Sequence, residues 1–161
     1  MKPANIRLIK TELEHLETSE LVDICLRLGK FKTENKELLS YLIFHSKDET
    51  AFCIDVKWEI DQLFQSANKS SVFLFKKTVR KVLRYVNRCS RISGHKSTDI
   101  ELRIHFLQGL NGFRSDLNFT RVLSNLYLRE LERCVKHVSN LHEDLQGDYD
   151  TELETLKLPT T

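Results

Sequence analysis

The chain has 161 residues, 40% of them hydrophobic and 30% charged, with a formal net charge of +2. That length holds an ordinary core without staples, and that composition excludes a disordered chain. Pro3 and Pro159 are the only prolines, which argues against a sandwich or barrel with its frequent turn chemistry.

The apolar residues recur at helical spacing from the start. Ile6, Ile9, Leu13 and Leu16 mark a first amphipathic helix over 4–15. Thr18 and Ser19 are capping residues for a second, to about Lys30, with Leu21, Cys25 and Leu28 inward. Gly29 and Thr33 break that pattern. A third helix is expected from about Thr33 to His45, with Leu38, Leu39, Leu42 and Ile43 inward. Residues 48–66 carry two signals. Ile54, Val56, Trp58 and Ile60 alternate as in a strand, whereas Phe52, Val56, Ile60, Leu63 and Phe64 fit a helix. The length of the run, free of Gly and Pro, selects the helix, with Asp48 as its N-cap.

Ser70 or Ser71 caps a fifth helix to about Arg91, with Phe75, Val79, Val82 and Val86 on its apolar face. A turn at Ser93, Gly94, His95 and Lys96 leads to a sixth, capped by Thr98, with Ile100, Ile104 and Leu107 inward. In the last helix, expected over 119–146, Tyr127, Leu131, Cys134, Val138, Leu141 and Leu145 form a heptad-like seam, and the helix would span roughly 40 Å. Glu130–Arg133 and Glu132–Lys136 read as exposed pairs. The seam covers under three heptads, so an intramolecular bundle is preferred to a coiled-coil dimer, and the chain is expected as a monomer or homodimer. A faint echo between the segments 26–43 and 83–107 also allows stacked helical hairpins.

Cys25, Cys53, Cys89 and Cys134 lack metal-site spacing and sit among apolar residues, so all four read as buried free thiols. No phosphate-loop, dinucleotide-binding, zinc-protease, nucleophile-elbow or calcium-loop pattern occurs. Cys134 and His137 make at most half a metal site, and His142, Glu143 and Asp144 read as a helix-end cluster. Tyr41, Phe44, Phe52, Trp58 and Phe64 read as core. No catalytic residue, cofactor or metal is expected.

The runs from Ile24 to Leu39, Val122 to Tyr127 and Leu141 to Gln146 resemble a family of small all-helical bacterial proteins with no assigned activity. The likeness covers most of the chain after residue 16. It implies a bacterial, cytoplasmic helical protein and carries over no site residue.

Charge is segregated. Residues 1–61 hold 9 basic and 12 acidic residues, residues 62–98 hold 9 basic and none acidic, and residues 99–161 hold 7 basic and 11 acidic. On a helix, Lys77, Arg80, Arg84, Arg88 and Arg91 cluster within about 80°, opposite the valine face, with Lys76 and Lys81 flanking. This ridge of like charges repels itself, and an anionic partner or the chain's own acidic C-terminal stretch would relieve it. Phe73 lies on the same side and offers a stacking face.

The expected protein is all-α, an irregular bundle of six or seven helices with a long C-terminal helix. It has one domain over 1–146 and a flexible acidic tail over 147–161. No apolar run is long enough to cross a membrane, and the first residues lack a signal-peptide pattern, so a cytoplasmic protein without a membrane partner is expected. Two functions fit: a non-enzymatic structural or protein-interaction module, or a nucleic-acid-associated protein that binds phosphates through Lys76, Lys77, Arg80, Lys81, Arg84, Arg88 and Arg91.

Overall fold

The spacing of apolar residues, with no proline inside it, dictates helices, and every regular element among the described residues is helical. The structure, a computed structural model, describes residues 2–114 and 120–157. No helix among them is long and apolar enough to cross a membrane. Where the length suggests one domain, the chain divides into two compact units, Met1–His45 and Ser46–Thr161.

In the first unit, α1 (Ile6–Leu13) opens at Asn5, whose side chain accepts a hydrogen bond from the Leu8 N–H at 2.9 Å. α2 (Thr18–Phe31) begins with a capping box: Glu17 is the N-cap, and its N–H donates to the Glu20 carboxylate at 2.9 Å. Thr18 therefore lies inside the helix rather than capping it. Lys32, in extended backbone, ends α2 and opens α3 (Thr33–Ser40). Gly29 faces α3, and a Cβ there would meet the flexible end of Leu39, Cδ1, at 2.9 Å. α3 continues into a π-helical turn, Tyr41–His45.

The inward faces expected here are largely open. Leu28 is 52% exposed, Leu38 41% and Leu42 53%, and Cys25 is exposed as well. The reason is local: α2 packs on α3, and one helix–helix contact covers only a narrow stripe of each. Phe44, expected in the core, is exposed too.

The second unit contains a full core. α4 (Glu49–Gln65) is capped by Asp48, which accepts from the Ala51 N–H at 2.9 Å. Phe52, Val56, Ile60 and Phe64 are buried, whereas Ile54 and Trp58 from the alternating pattern are exposed. A period of 3.6 rather than 2 decides the element, and it moves Trp58 from core to surface. α5 (Val72–Ser93) is capped by Ser71 and buries Phe75, Val79, Val82 and Val86 completely. Gly94, at φ 73°, closes it in the left-handed region that favours glycine.

α6 (Lys96–Asn111) starts before Thr98, with His95 at the N-cap. The preceding turn leaves only Gly94 and His95 between the two helices, so Thr98 becomes an interior position and is buried. α6 packs against α4, α5 and two later helices, α7 (Arg121–Val138) and α8 (Glu143–Leu156). Its buried residues, from Thr98 to Leu110, cover most of its circumference, and Glu101, His105 and Gln108 line the stripe that remains open.

The long last helix is two helices. Ser139 Oγ and Asn140 Nδ2 both donate to the Lys136 carbonyl, at 2.9 and 2.7 Å, and so satisfy an end of α7. His142 then caps α8, with Glu143 and Asp144 in its first turn, where carboxylates suit the helix dipole. The seam holds through Val138 but not to Leu145, which is exposed. The acidic segment after Gly147 is accordingly helical. Leu153 and Leu156 are buried, and the Tyr127 hydroxyl donates to the Leu156 carbonyl at 2.8 Å. Leu158 lies outside the described residues.

Two outcomes are expected. Val82→Asp puts an unpaired carboxylate at a fully buried site and should cost several kcal/mol of a total of about 5–15. A urea midpoint unchanged from the parent would refute the helix phase. Of the four cysteines, Cys25 is exposed and Cys53, Cys89 and Cys134 are buried. A thiol reagent should therefore modify Cys25 rapidly in the native protein and the other three only after denaturation; equal rates at all four would refute the assignment.

Candidate functional site

The valine face of α5 is fixed in the core, so the opposite face must carry its basic residues to the surface. Lys77, Arg80, Lys81, Arg84 and Arg91 are exposed, and Lys76 and Arg88 are half-buried. The structure draws only part of this ridge into one concave site. Lys77, Arg80 and Arg84 line a groove of about 890 Å³ between α5 and α7, and Arg129 comes from the α7 side. Leu83, Val122 and Leu126 supply its apolar lining, and Asn87 and Asn125 its neutral polar groups. Among the described residues no carboxylate lines it. Lys77 Nζ also stands 4.8 Å from the centre of the exposed Phe73 ring.

Arg91 belongs elsewhere. It lines a second cavity, of about 770 Å³, at the turn from α5 to α6, while Lys76, Lys81 and Arg88 lie outside both. The two cavities share Asn87. The self-neutralising arrangement finds little support in the contacts. α8 packs against α6 and α7, and two of its acids have local partners, Glu154 with Lys157 and Asp144 with His142. No carboxylate among the described residues forms an ion pair with Lys77, Arg80 or Arg84.

Beneath the second cavity lies a buried charge network that sequence reasoning missed. Arg103, 1% exposed, reaches Glu130 at 2.8 Å and Asp99 at 2.9 Å, and donates to Asn87 Oδ1 at 2.8 Å. Asp99 also meets His137 Nδ1 at 2.6 Å, and Arg129 meets the other oxygen of Glu130 at 3.1 Å. Glu130 is thus a buried partner of Arg103 rather than part of an exposed pair with Arg133. His137 is turned to Asp99 rather than joined with Cys134 in a half metal site. One signal was available: Glu130 precedes Leu131 and is three residues before Arg133, so its angular position borders the α7 seam. Nothing in the local pattern marks Arg103.

The electrostatics follow from burial and pairing. Desolvation raises the Asp99 carboxyl, but hydrogen bonding and attraction from the Arg103 guanidinium, with His137 added, outweigh it and hold Asp99 below the ordinary carboxyl range. Burial pushes the Cys134 thiol up to about 12 and also raises Cys53, which removes both as ready nucleophiles.

No family model matches the chain, and neither a curated protein nor a solved structure shows significant similarity to it.

Arg103→Met would leave the Asp99 and Glu130 carboxylates buried without their cation, at a cost of about 3–5 kcal/mol near neutral pH. Asp99 titrates lower folded than unfolded, so its contribution is complete above the unfolded value of about 4 and is lost as pH falls through the lower folded value. The gap between parent and variant should therefore narrow in acid, where the orphaned Asp99 takes up a proton. Chemical denaturation at neutral pH and at about pH 3 checks both, and a gap that is constant with pH would refute the pairing.

Proposed function

We propose that the Ser46–Thr161 unit is a non-enzymatic nucleic-acid-binding module that holds the phosphate backbone in the groove between α5 and α7. One observation carries this reading: four cations from two helices converge on a groove lined, among the described residues, by no carboxylate. Self-repulsion along the ridge is relieved when phosphates enter, and the released counterions drive association. Asn87 and Asn125 offer hydrogen bonds to phosphate or base, and Phe73 offers a ring for stacking. The sequence holds no base-reading motif, which fits backbone recognition without sequence preference.

The protein-interaction reading has its own support in the Met1–His45 unit. Ile6, Phe31 and Phe44 are each at least 75% exposed there, and large open apolar side chains are characteristic of surfaces that meet a partner. This is a separate surface on a separate unit. The chain would then be a helical module that couples a protein contact to a nucleic-acid contact, within a bacterial cytoplasm as the family resemblance implies.

Binding of a fluorescent DNA or RNA strand, followed against salt, tests the groove. Replacing Lys77, Arg80 and Arg84 together by Gln should leave the fold intact, since all three face solvent. It should flatten the log–log salt slope by roughly 2.7 on duplex DNA, or about 2 on a single strand. A parent protein that binds neither duplex nor single strand at low salt would refute the proposal.

A further inference from the structure

The Met1–His45 unit is too small to close a core of its own. It spans 45 residues, near the size below which disulfides, metals or oligomerisation are usually needed. Cys25 is its only cysteine, so no internal disulfide staples it. α1, α2 and α3 bury no residue, and large apolar side chains remain open on each of them. Together these side chains present on the order of 1,000 Å² of surface, against the roughly 800 Å² that each partner contributes to a stable dimer.

The open surface has a definite geometry. On α2, Leu21 and Gly29 are half-buried and mark the stripe that faces α3, where a Cβ on Gly29 would reach the end of Leu39. Ile24, Leu28 and Phe31 form a second stripe, centred about 100° round the helix from the first, and all three are exposed. A helix at the corner of a four-helix bundle meets two neighbours at about a right angle. In the α2–α3 hairpin one of those places is filled and the other is open.

Charge indicates what fills it. Glu17, Glu20 and Asp23 lie at the start of α2, and Arg27, Lys30 and Lys32 at its end. A neighbour with the same distribution, laid antiparallel, sets acids against bases at both ends, whereas a parallel one sets like against like. A two-fold axis through the middle of α2 generates that antiparallel neighbour from an identical chain.

We propose that a second copy of the chain covers this face: two α2–α3 hairpins meet about a two-fold axis, α2 antiparallel to α2, and complete a four-helix bundle. The inference rests on the reading of this unit as a protein contact and names the partner. Ile24 and Leu28 of the two copies meet near the axis, and Asp23 of one copy stands beside Arg27 of the other.

The test is sedimentation velocity of the full chain over a wide range of concentration. A reversible dimer is expected. Leu28→Gln together with Phe31→Ser should render the chain monomeric, with an unchanged circular dichroism spectrum, since both side chains face solvent in the single chain. Asp23→Lys and Arg27→Glu should each weaken the dimer by about tenfold, because each sets like charges together at two places across the axis. An equimolar mixture of these two variants should dimerise like the parent, since every facing pair is then opposite in sign. A parent that is monomeric at every concentration, a dimer indifferent to the Leu28 and Phe31 replacements, or a mixture that dimerises no better than either variant alone would each overturn the proposal. For a monomeric parent, an apolar fluorescent dye separates the two failures. Dye binding that the Leu28 and Phe31 replacements abolish shows an open face for a different protein, and the protein-contact reading stands without the dimer. No such binding shows a face closed within one chain, and that reading fails with it.

Discussion

A guanidinium in the interior is the constraint around which the second unit is arranged. Arg103 projects from α6, the helix that packs against α4, α5, α7 and α8, and it is withdrawn from water almost completely. Removing an ion from water costs several kcal/mol, and only close partners offset it. The partners come from three helices: Asn87 of α5, Asp99 of α6 itself and Glu130 of α7. Apolar faces of leucine and phenylalanine tolerate a sliding or rotating neighbour. A planar fork with three named acceptors does not, so the network sets the register in which α5 and α7 meet α6. Both cavities inherit their shape from that register, because one is walled by α5 and α7 and the other by the α5–α6 turn and α7.

The same arrangement separates two uses of positive charge. Inside, one arginine is matched by acids and serves the packing. Outside, Lys77, Arg80, Arg84, Lys96 and Arg133 are held on helices whose positions are already fixed, so little ordering is needed to present them together. The Met1–His45 unit is built differently. α1, α2 and α3 contain no fully buried residue, and their apolar side chains remain largely in contact with water.

Much of the helical framework was legible in the residues, because spacing of 3.6 and capping chemistry are local. Asp48 and Ser71 act as caps at the positions expected of them, and Phe75, Val79, Val82 and Val86 form the buried face of α5. The misreadings occur where a nonlocal contact or a competing local bond decides. The seam from Tyr127 to Leu145 is continuous as a pattern, yet the Ser139 and Asn140 side chains capture the Lys136 carbonyl and end the helix. Cys25 and Leu28 have the right phase for burial but lack enough neighbouring helix to cover them. Of the ridge, Lys77, Arg80 and Arg84 could be placed on one face by angle alone. That Arg129 would join them, and that Arg91 would belong to a different cavity, depends on how α7 and α6 pack, which the spacing within α5 does not encode.

The deep burial of α6 also bears on time. Its neighbours α4, α5, α7 and α8 each have a solvent face from which they can fray. α6 shows only a narrow stripe to solvent, at Glu101, His105 and Gln108, and its interior amides at Leu102, Ile104 and Phe106 gain access to water chiefly when those neighbours separate. These amides should keep their hydrogens through every partial opening of the unit and lose them only in global unfolding. Motions at the α5–α7 groove or at the α5–α6 turn can thus be fast and frequent while the centre of the unit remains shut.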